Sequence, residues 1–115
     1  MMLLIFFKLL IGHALADFPL QGDFLARGKN RHSVNMPPPG AKPGAIWPYC
    51  LTAHSLIHAG TVWIITGSVE LALIECVAHW VIDFAKCEND ITLHQDQFLH
   101  VLCKLFYAFA IAYGK

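Results

Sequence analysis

Apolar residues come in four long segments along this chain, and the polar residues inside those segments keep a fixed step. The segments cover about residues 2–18, 46–66, 69–86 and 94–113. Each approaches or meets the ~17–25 residues that a bilayer-spanning helix needs. The breaks between them are clear. Pro37, Pro38, Pro39, Gly40, Pro43, Gly44 and Pro48 predict a loop over 36–48, because no regular element survives that density. Gly67 and Ser68 predict a tight turn, and Glu88, Asn89 and Asp90 a polar hairpin loop. After the first segment, Pro19 suits a helix start. Leu20, Phe24 and Leu25 mark one apolar face there against Gln21, Asp23, Arg27 and Lys29. That pattern predicts a short amphipathic helix lying at a membrane surface.

The polar interruptions are not scattered. His13 and Asp17, His54 and His58, His79 and Asp83, and Asp96 and His100 are each four residues apart. On a helix, positions i and i+4 share one face. Glu75 stands one turn before His79, so Glu75, His79 and Asp83 form a single polar stripe. Burying such stripes among Leu, Ile, Val and Phe is costly unless something compensates them.

Composition points the same way. Of 115 residues, 57% are hydrophobic and 14% charged, against ~25% charged in soluble domains. Mean hydropathy is +0.52. The expected architecture is all-α: a four-helix transmembrane bundle with a short interfacial helix after the first span, forming one integral membrane domain over residues 1–115. Its first partner is then the lipid bilayer. Formal net charge is zero, so no global field recruits nucleic acid. Cys50, Cys76, Cys87 and Cys103 form no C-x-x-C pair and are expected to act as small hydrophobes. The rival for residues 1–16 is a signal peptide, since Ala14-Leu15-Ala16 has the form of a cleavage site. No basic side chain precedes that apolar run, however, and Lys8 sits in its middle.

Basic residues in short loops set orientation. Arg27, Lys29, Arg31 and Lys42 follow the first segment, Lys86 follows the third, and none separates the second from the third. The first and third loops should therefore face the cytoplasm, in a bacterial inner membrane, or a host membrane if the chain is phage-encoded. On that topology all four polar pairs fall at one membrane face.

Four helices that each offer inward imidazoles or carboxylates are a way to build a metal site. The candidate ligands are His13, Asp17, His54, His58, His79, Asp83 and His100, holding a divalent metal ion, with zinc as one candidate. They exceed what one tetrahedral zinc needs, which fits two ions, or one ion with outer carboxylates. Glu75 and Asp96 are candidate general bases, and Lys86 a candidate holder of an anionic group such as phosphate. Gln21 and Gln97 lie next to the pairs. Three plainer roles compete. The pairs can be interhelical hydrogen bonds, worth ~0.6 kcal/mol each on average. They can form a proton relay. Lys86 can simply snorkel to the interface. His32 and His94, in polar settings, are expected to face solvent or the interface.

The blocks His13-Ala14-Leu15-Ala16-Asp17-Phe18-Pro19-Leu20-Gln21, His54-Ser55-Leu56-Ile57-His58, His79-Trp80-Val81-Ile82-Asp83 with Lys86, and Asp96-Gln97-Phe98-Leu99-His100 span most of the chain. In order and spacing they resemble domain-of-unknown-function family 3307, small polytopic membrane proteins of bacteria and phages. That resemblance implies no activity. More loosely, the chain is similar to predicted inner-membrane metal-dependent hydrolases, which combine a His-rich block with a later His-x-x-x-Asp helix. This likeness implies metal-dependent hydrolysis of a phosphoester or lipid head group. Those proteins carry an Arg-Gly element before the His block; here Cys50-Leu51-Thr52-Ala53 stands instead. The expected function is a membrane-embedded metal-dependent hydrolase at the cytoplasmic interface. The alternative is a non-enzymatic membrane protein whose His and Asp pairs are structural contacts.

Overall fold

The computed structural model describes residues 1–33 and 45–114, and these are helical, with no strand among them. Five helices occur in order: α1 (Met2–Asp17), α2 (Gly22–Gly28), α3 (Trp47–Thr66), α4 (Val69–Cys87) and α5 (Leu93–Tyr113). Most of the proline-rich loop expected over 36–48 lies outside the described residues. Its last two positions do not belong to a loop, because Trp47 and Pro48 open α3. Proline is tolerated there, since the first-turn N–H groups have no partner within the helix.

The long helices form a ring. Helix α1 packs on α3, α3 on α4, α4 on α5, and α5 closes on α1. The cross-helix pairs run in opposite directions: His13 and Asp17 meet His58 and His54, and Glu75 and Asp83 meet Lys104 and His100. The bundle is therefore up-down-up-down, with short connections from α3 to α4 and from α4 to α5.

Local chemistry sets the ends. Gly67 closes α3 with φ +72°, the left-handed conformation that glycine enters without a Cβ penalty. Ser68 then caps α4, its hydroxyl accepting from Leu71 N–H at 3.2 Å. Thr92 and Gln95 make a reciprocal capping box at the start of α5. The amphipathic helix starts at Gly22 rather than near Pro19. Leu20 N–H still bonds back to Leu15 C=O, and the chain changes direction at Gly22, with φ +64°. Helices α1 and α3 approach closely at Gly12, where an added Cβ would lie 2.9 Å from Ile65 Cδ1.

The interior divides along the bundle axis. Leu9, Val62, Leu71, Tyr107 and Ala108 form an apolar core at the end near the α3–α4 turn. Toward the other end the interior is polar, with His13, His54, His58, Glu75, His79, Asp83, Asp96, His100 and Lys104 all buried. The outside is apolar along most of its length. Leu4, Phe7, Ile64, Val77, Leu102 and Phe106 are exposed, Ile64 by 86%. Among the described residues no single helix is long and apolar enough by itself to cross a membrane. Helices α1 and α2 pass that test only together, as a pair bent by 83°. Helices α3 to α5 have 20, 19 and 21 residues, about the length of a span, but their inward polar side chains lower their apolar content.

Candidate metal centre

The i,i+4 spacing turns each polar pair to the bundle axis, and the ring of helices brings the four pairs together. From α1 come His13 and Asp17, from α3 His54 and His58, from α4 Glu75, His79 and Asp83, and from α5 Asp96 and His100. The five imidazoles form one contiguous group. His58 and His79 stack at 3.6 Å between ring centroids, and His79 and His100 at 4.1 Å. His54 meets His58 and His79 edge-on at 4.7 and 4.9 Å.

Carboxylates sit between the rings. Asp17 Oδ1 is 3.2 Å from His54 Nε2 and 3.0 Å from His58 Nε2. Asp83 Oδ2 is 3.3 Å from His54 Nε2 and 3.4 Å from His79 Nε2, while its Oδ1 is 3.3 Å from His100 Nε2. Asp96 Oδ1 is also 3.3 Å from His100 Nε2. Two sets of side chains each offer donor atoms within 4.8 Å of one another: Asp17, His54, His58 and His79, and then His79, Asp83 and His100.

His58 Nε2 and Asp17 Oδ1, and His100 Nε2 and Asp83 Oδ1, are within hydrogen-bond reach of each other, and two further features fit an ion. Donors at ~2.0–2.2 Å from a tetrahedral ion lie roughly 3.3–3.6 Å apart, close to the nitrogen–oxygen separations found here. And several buried donors have no hydrogen-bond partner, among them both nitrogens of His54, Nε2 of His79 and Oδ1 of Asp96. Buried polar atoms are rarely left so. His54 Nε2 has two carboxylate oxygens nearby yet forms a hydrogen bond to neither.

Glu75 lies deeper. Its Oε2 is 3.2 Å from His79 Nδ1 and accepts from Lys104 Nζ at 2.8 Å, and its Oε1 accepts from Tyr107 Oη at 2.9 Å. A carboxylate on Nδ1 fixes the ring so that Nε2 keeps its lone pair, which is how metal-binding histidines are commonly oriented. His13 is set at the edge of the group, its Nε2 3.1 Å from Gln97 Oε1 and 3.5 Å from Asp17 Oδ2. Gln97 Nε2 donates to Asp17 Oδ2 at 2.9 Å and Asp96 Oδ2 at 3.1 Å.

On the side of α2 the cluster opens into a cavity of about 200 Å³, lined by Asp17, Gln21, Lys29, Asp83, Lys86 and Asp96 among others. Lys86 is placed at this mouth and not among the imidazoles. Lys29 is not the free loop cation expected from its position. It is buried, donating to Asp83 Oδ2 at 2.8 Å and to Gln21 Oε1 at 2.5 Å. Outside the cluster, Arg31 and His32 both bind Glu88. The hydrogen bonds from Arg31 hold the Glu88 carboxyl below the usual glutamate range and raise the Arg31 guanidinium in turn. His94 is exposed, as its setting suggests.

Three contributors escape the pair pattern: Lys29, Lys104 and Tyr107. A signal existed for Lys104, because the step from Asp96 to His100 continues one more turn to Lys104.

No curated protein and no solved structure matches the chain. The family described as "Protein of unknown function (DUF3307)" is matched over residues 5–113, nearly the whole length, and the chain belongs to that family.

Proposed function

We propose that the chain is a membrane-embedded, metal-dependent hydrolase whose centre lies near the cytoplasmic interface. One observation carries the metal: Asp17, His54, His58 and His79 place donor atoms within 4.8 Å of one another, inside the bundle, with both His54 nitrogens and His79 Nε2 unpartnered. Membrane embedding is supported by the outward apolar side chains, Leu4, Phe7, Ile64, Val77, Leu102 and Phe106. In water, large continuous apolar surfaces of this kind are rare on a monomer. Trp47, Trp80 and Phe84 cluster near the polar end, ring centroids 5.5–6.0 Å apart, where aromatics mark a membrane interface.

A divalent ion at such a centre lowers the pKa of bound water to about 7 and so supplies hydroxide for attack on a phosphoryl or acyl centre. The chain's own residues do the rest. Glu75 holds the His79 tautomer, and Lys104 and Tyr107 hold Glu75. Asp96, with one oxygen unpartnered, faces the same centre, and the proton that water gives up passes to the departing alcohol. The new bond joins the water oxygen to phosphorus or the acyl carbon, and the ester bond breaks with its electrons on the alcohol oxygen. Lys29 and Lys86 at the mouth suit a substrate with an anionic head group, such as a lipid or other phosphoester.

A second reading makes the polar interior structural. It is favoured by the buried Lys104–Glu75 pair, which ties α5 to α4. Elemental analysis of detergent-purified protein separates the two. Stoichiometric zinc, iron or manganese, lost in His54→Ala and Asp17→Asn with helical content retained, supports the hydrolase. Metal-free protein with unaltered stability in those variants supports the structural role.

A further inference from the structure

The first donor set leaves part of the cluster unused. Asp83, Asp96 and His100 stand on its α5 side, and Asp83 is divided between two neighbourhoods. Its Oδ2 faces His54 and His79, and its Oδ1 faces His100. A carboxylate whose two oxygens look toward separate donor sets is the usual bridge between paired ions. The rings agree. His58, His79 and His100 form a row, with the outer two centroids 6.3 Å apart. His79 and His100 are stacked at 4.1 Å and inclined by only 21°. Asp96 Oδ1 lies 3.3 Å from His100 Nε2, fully buried and without a hydrogen-bond partner.

From this geometry we infer that the cluster holds two divalent ions, the second between Asp83, Asp96 and His100, with Asp83 as the shared ligand. The inference rests on the metal reading above and deepens it.

Charge then names the substrate class. Among the described residues, Glu75, Asp83, Asp96 and the largely buried Asp17 face two buried ammonium groups, Lys29 and Lys104. With neutral imidazoles the cluster has an excess of two negative charges. One dication cancels that excess. A second leaves a positive centre, stabilised by hydroxide and by an anionic ester. The mouth, at about 200 Å³, is below the ~300 Å³ of sites that take a whole drug-sized ligand. It admits a head group, with Phe18 and Leu93 exposed at its rim to meet an apolar tail. The substrate class is therefore an amphiphile with a phosphate-ester head.

The test is metal stoichiometry on the full-length protein in detergent, read by elemental analysis and, after manganese loading, by electron paramagnetic resonance. Two ions per chain with exchange-coupled signals are expected. His100→Ala and Asp96→Asn should each lower the count to one and abolish the coupling, with helical content unchanged by circular dichroism. His100→Gln provides a second variant of similar size should the alanine variant fail to fold. One ion per chain in the unmodified protein, insensitive to His100→Gln and Asp96→Asn, overturns the second site and leaves the proposed function standing. No ion at all overturns both. A phosphate-ester substrate predicts that inorganic phosphate binds the two-ion form at least tenfold more tightly than the His100→Gln form. Equal binding overturns that assignment.

Discussion

The two halves of this bundle's interior are built on opposite principles. Near the α3–α4 turn, Leu9, Val62, Leu71, Tyr107 and Ala108 fill the axis with apolar surface. Toward the other end, imidazoles, carboxylates and Lys104 fill the same axis on the same four helices, and Lys29 reaches in from the end of α2. In lipid, apolar side chains gain little from moving off the outer surface into the core, since lipid tails are as apolar as leucine. In the proposed membrane setting the apolar half is held by packing alone. The polar half is held by charge and is far more sensitive to the loss of one member, because an orphaned charge inside a bundle has no water to turn to. The difference teaches where specificity lies: the polar half determines helix rotation, and the apolar half tolerates it.

The strongest way to break this contrast is Asp83→Ala. It removes the carboxylate that faces His54, His79 and His100 and that accepts from Lys29 at 2.8 Å. Removing one partner of a buried ion pair costs about 3–5 kcal/mol. Bound metal should disappear and unfolding in detergent should shift by that amount. A variant with unchanged stability and full metal content would show that the polar half is not held by charge.

Lys104→Met tests the same half without touching a proposed ligand. Glu75 would keep Tyr107 and His79 but lose its only cation. Breaking the pair should cost about 3 kcal/mol, whereas Lys104→Met combined with Glu75→Gln should recover most of it, since removing both charges leaves neither orphaned. Additive losses would count against the pair.

Much of this was legible before any coordinates. The four long helices follow from apolar segments bounded by the proline-rich loop, the Gly67-Ser68 turn and the Glu88-Asn89-Asp90 loop, whereas the Ser68 and Thr92 caps emerge only in the structure. The four pairs were legible because a step of four is a property of one helix. Lys29, Lys104 and Tyr107 were not, and for one physical reason. Their partners, Asp83 and Glu75, stand on other elements, and contact between elements depends on helix rotation, which no periodicity within a segment reports. Lys29 also sits among Arg27 and Arg31, whose basic run disguises a buried lysine as a topology signal.

The apolar half should give smaller effects. Leu9→Ala leaves a cavity, but with lipid as the outside solvent most of the usual transfer loss is absent. Its cost should fall at or below about 2 kcal/mol, the low end for such changes in water. Metal content should be unchanged. Gly12→Ala probes the close approach of α1 and α3. The added Cβ meets Ile65 Cδ1, the far end of a side chain that can turn away, so about 1 kcal/mol is expected, at the low end for overpacking. Thermal melts of both variants beside Asp83→Ala would rank the halves directly. A Leu9→Ala loss as large as that of Asp83→Ala would erase the distinction.

The smallest effect belongs outside the bundle, at Glu88. Its carboxylate accepts from Arg31 and pairs with His32, and Arg31 holds it below the usual glutamate range. A carboxyl whose folded pKa is depressed contributes stability that is complete above its unfolded pKa and is lost as pH falls through the folded value. The contribution should therefore be intact at neutral pH and fade only under acid conditions, below the ordinary glutamate range. Glu88→Gln should lower the melting temperature slightly at neutral pH, and the difference should shrink as acid protonates the native carboxyl. Added salt should shrink the difference at neutral pH, because the guanidinium is open to solvent and its field is screened. The Lys104–Glu75 pair, out of reach of counter-ions, should show no such salt dependence. A salt response of equal size at both pairs would mean that water and ions enter the polar half, and its charges would then have to be treated as a solvated cluster.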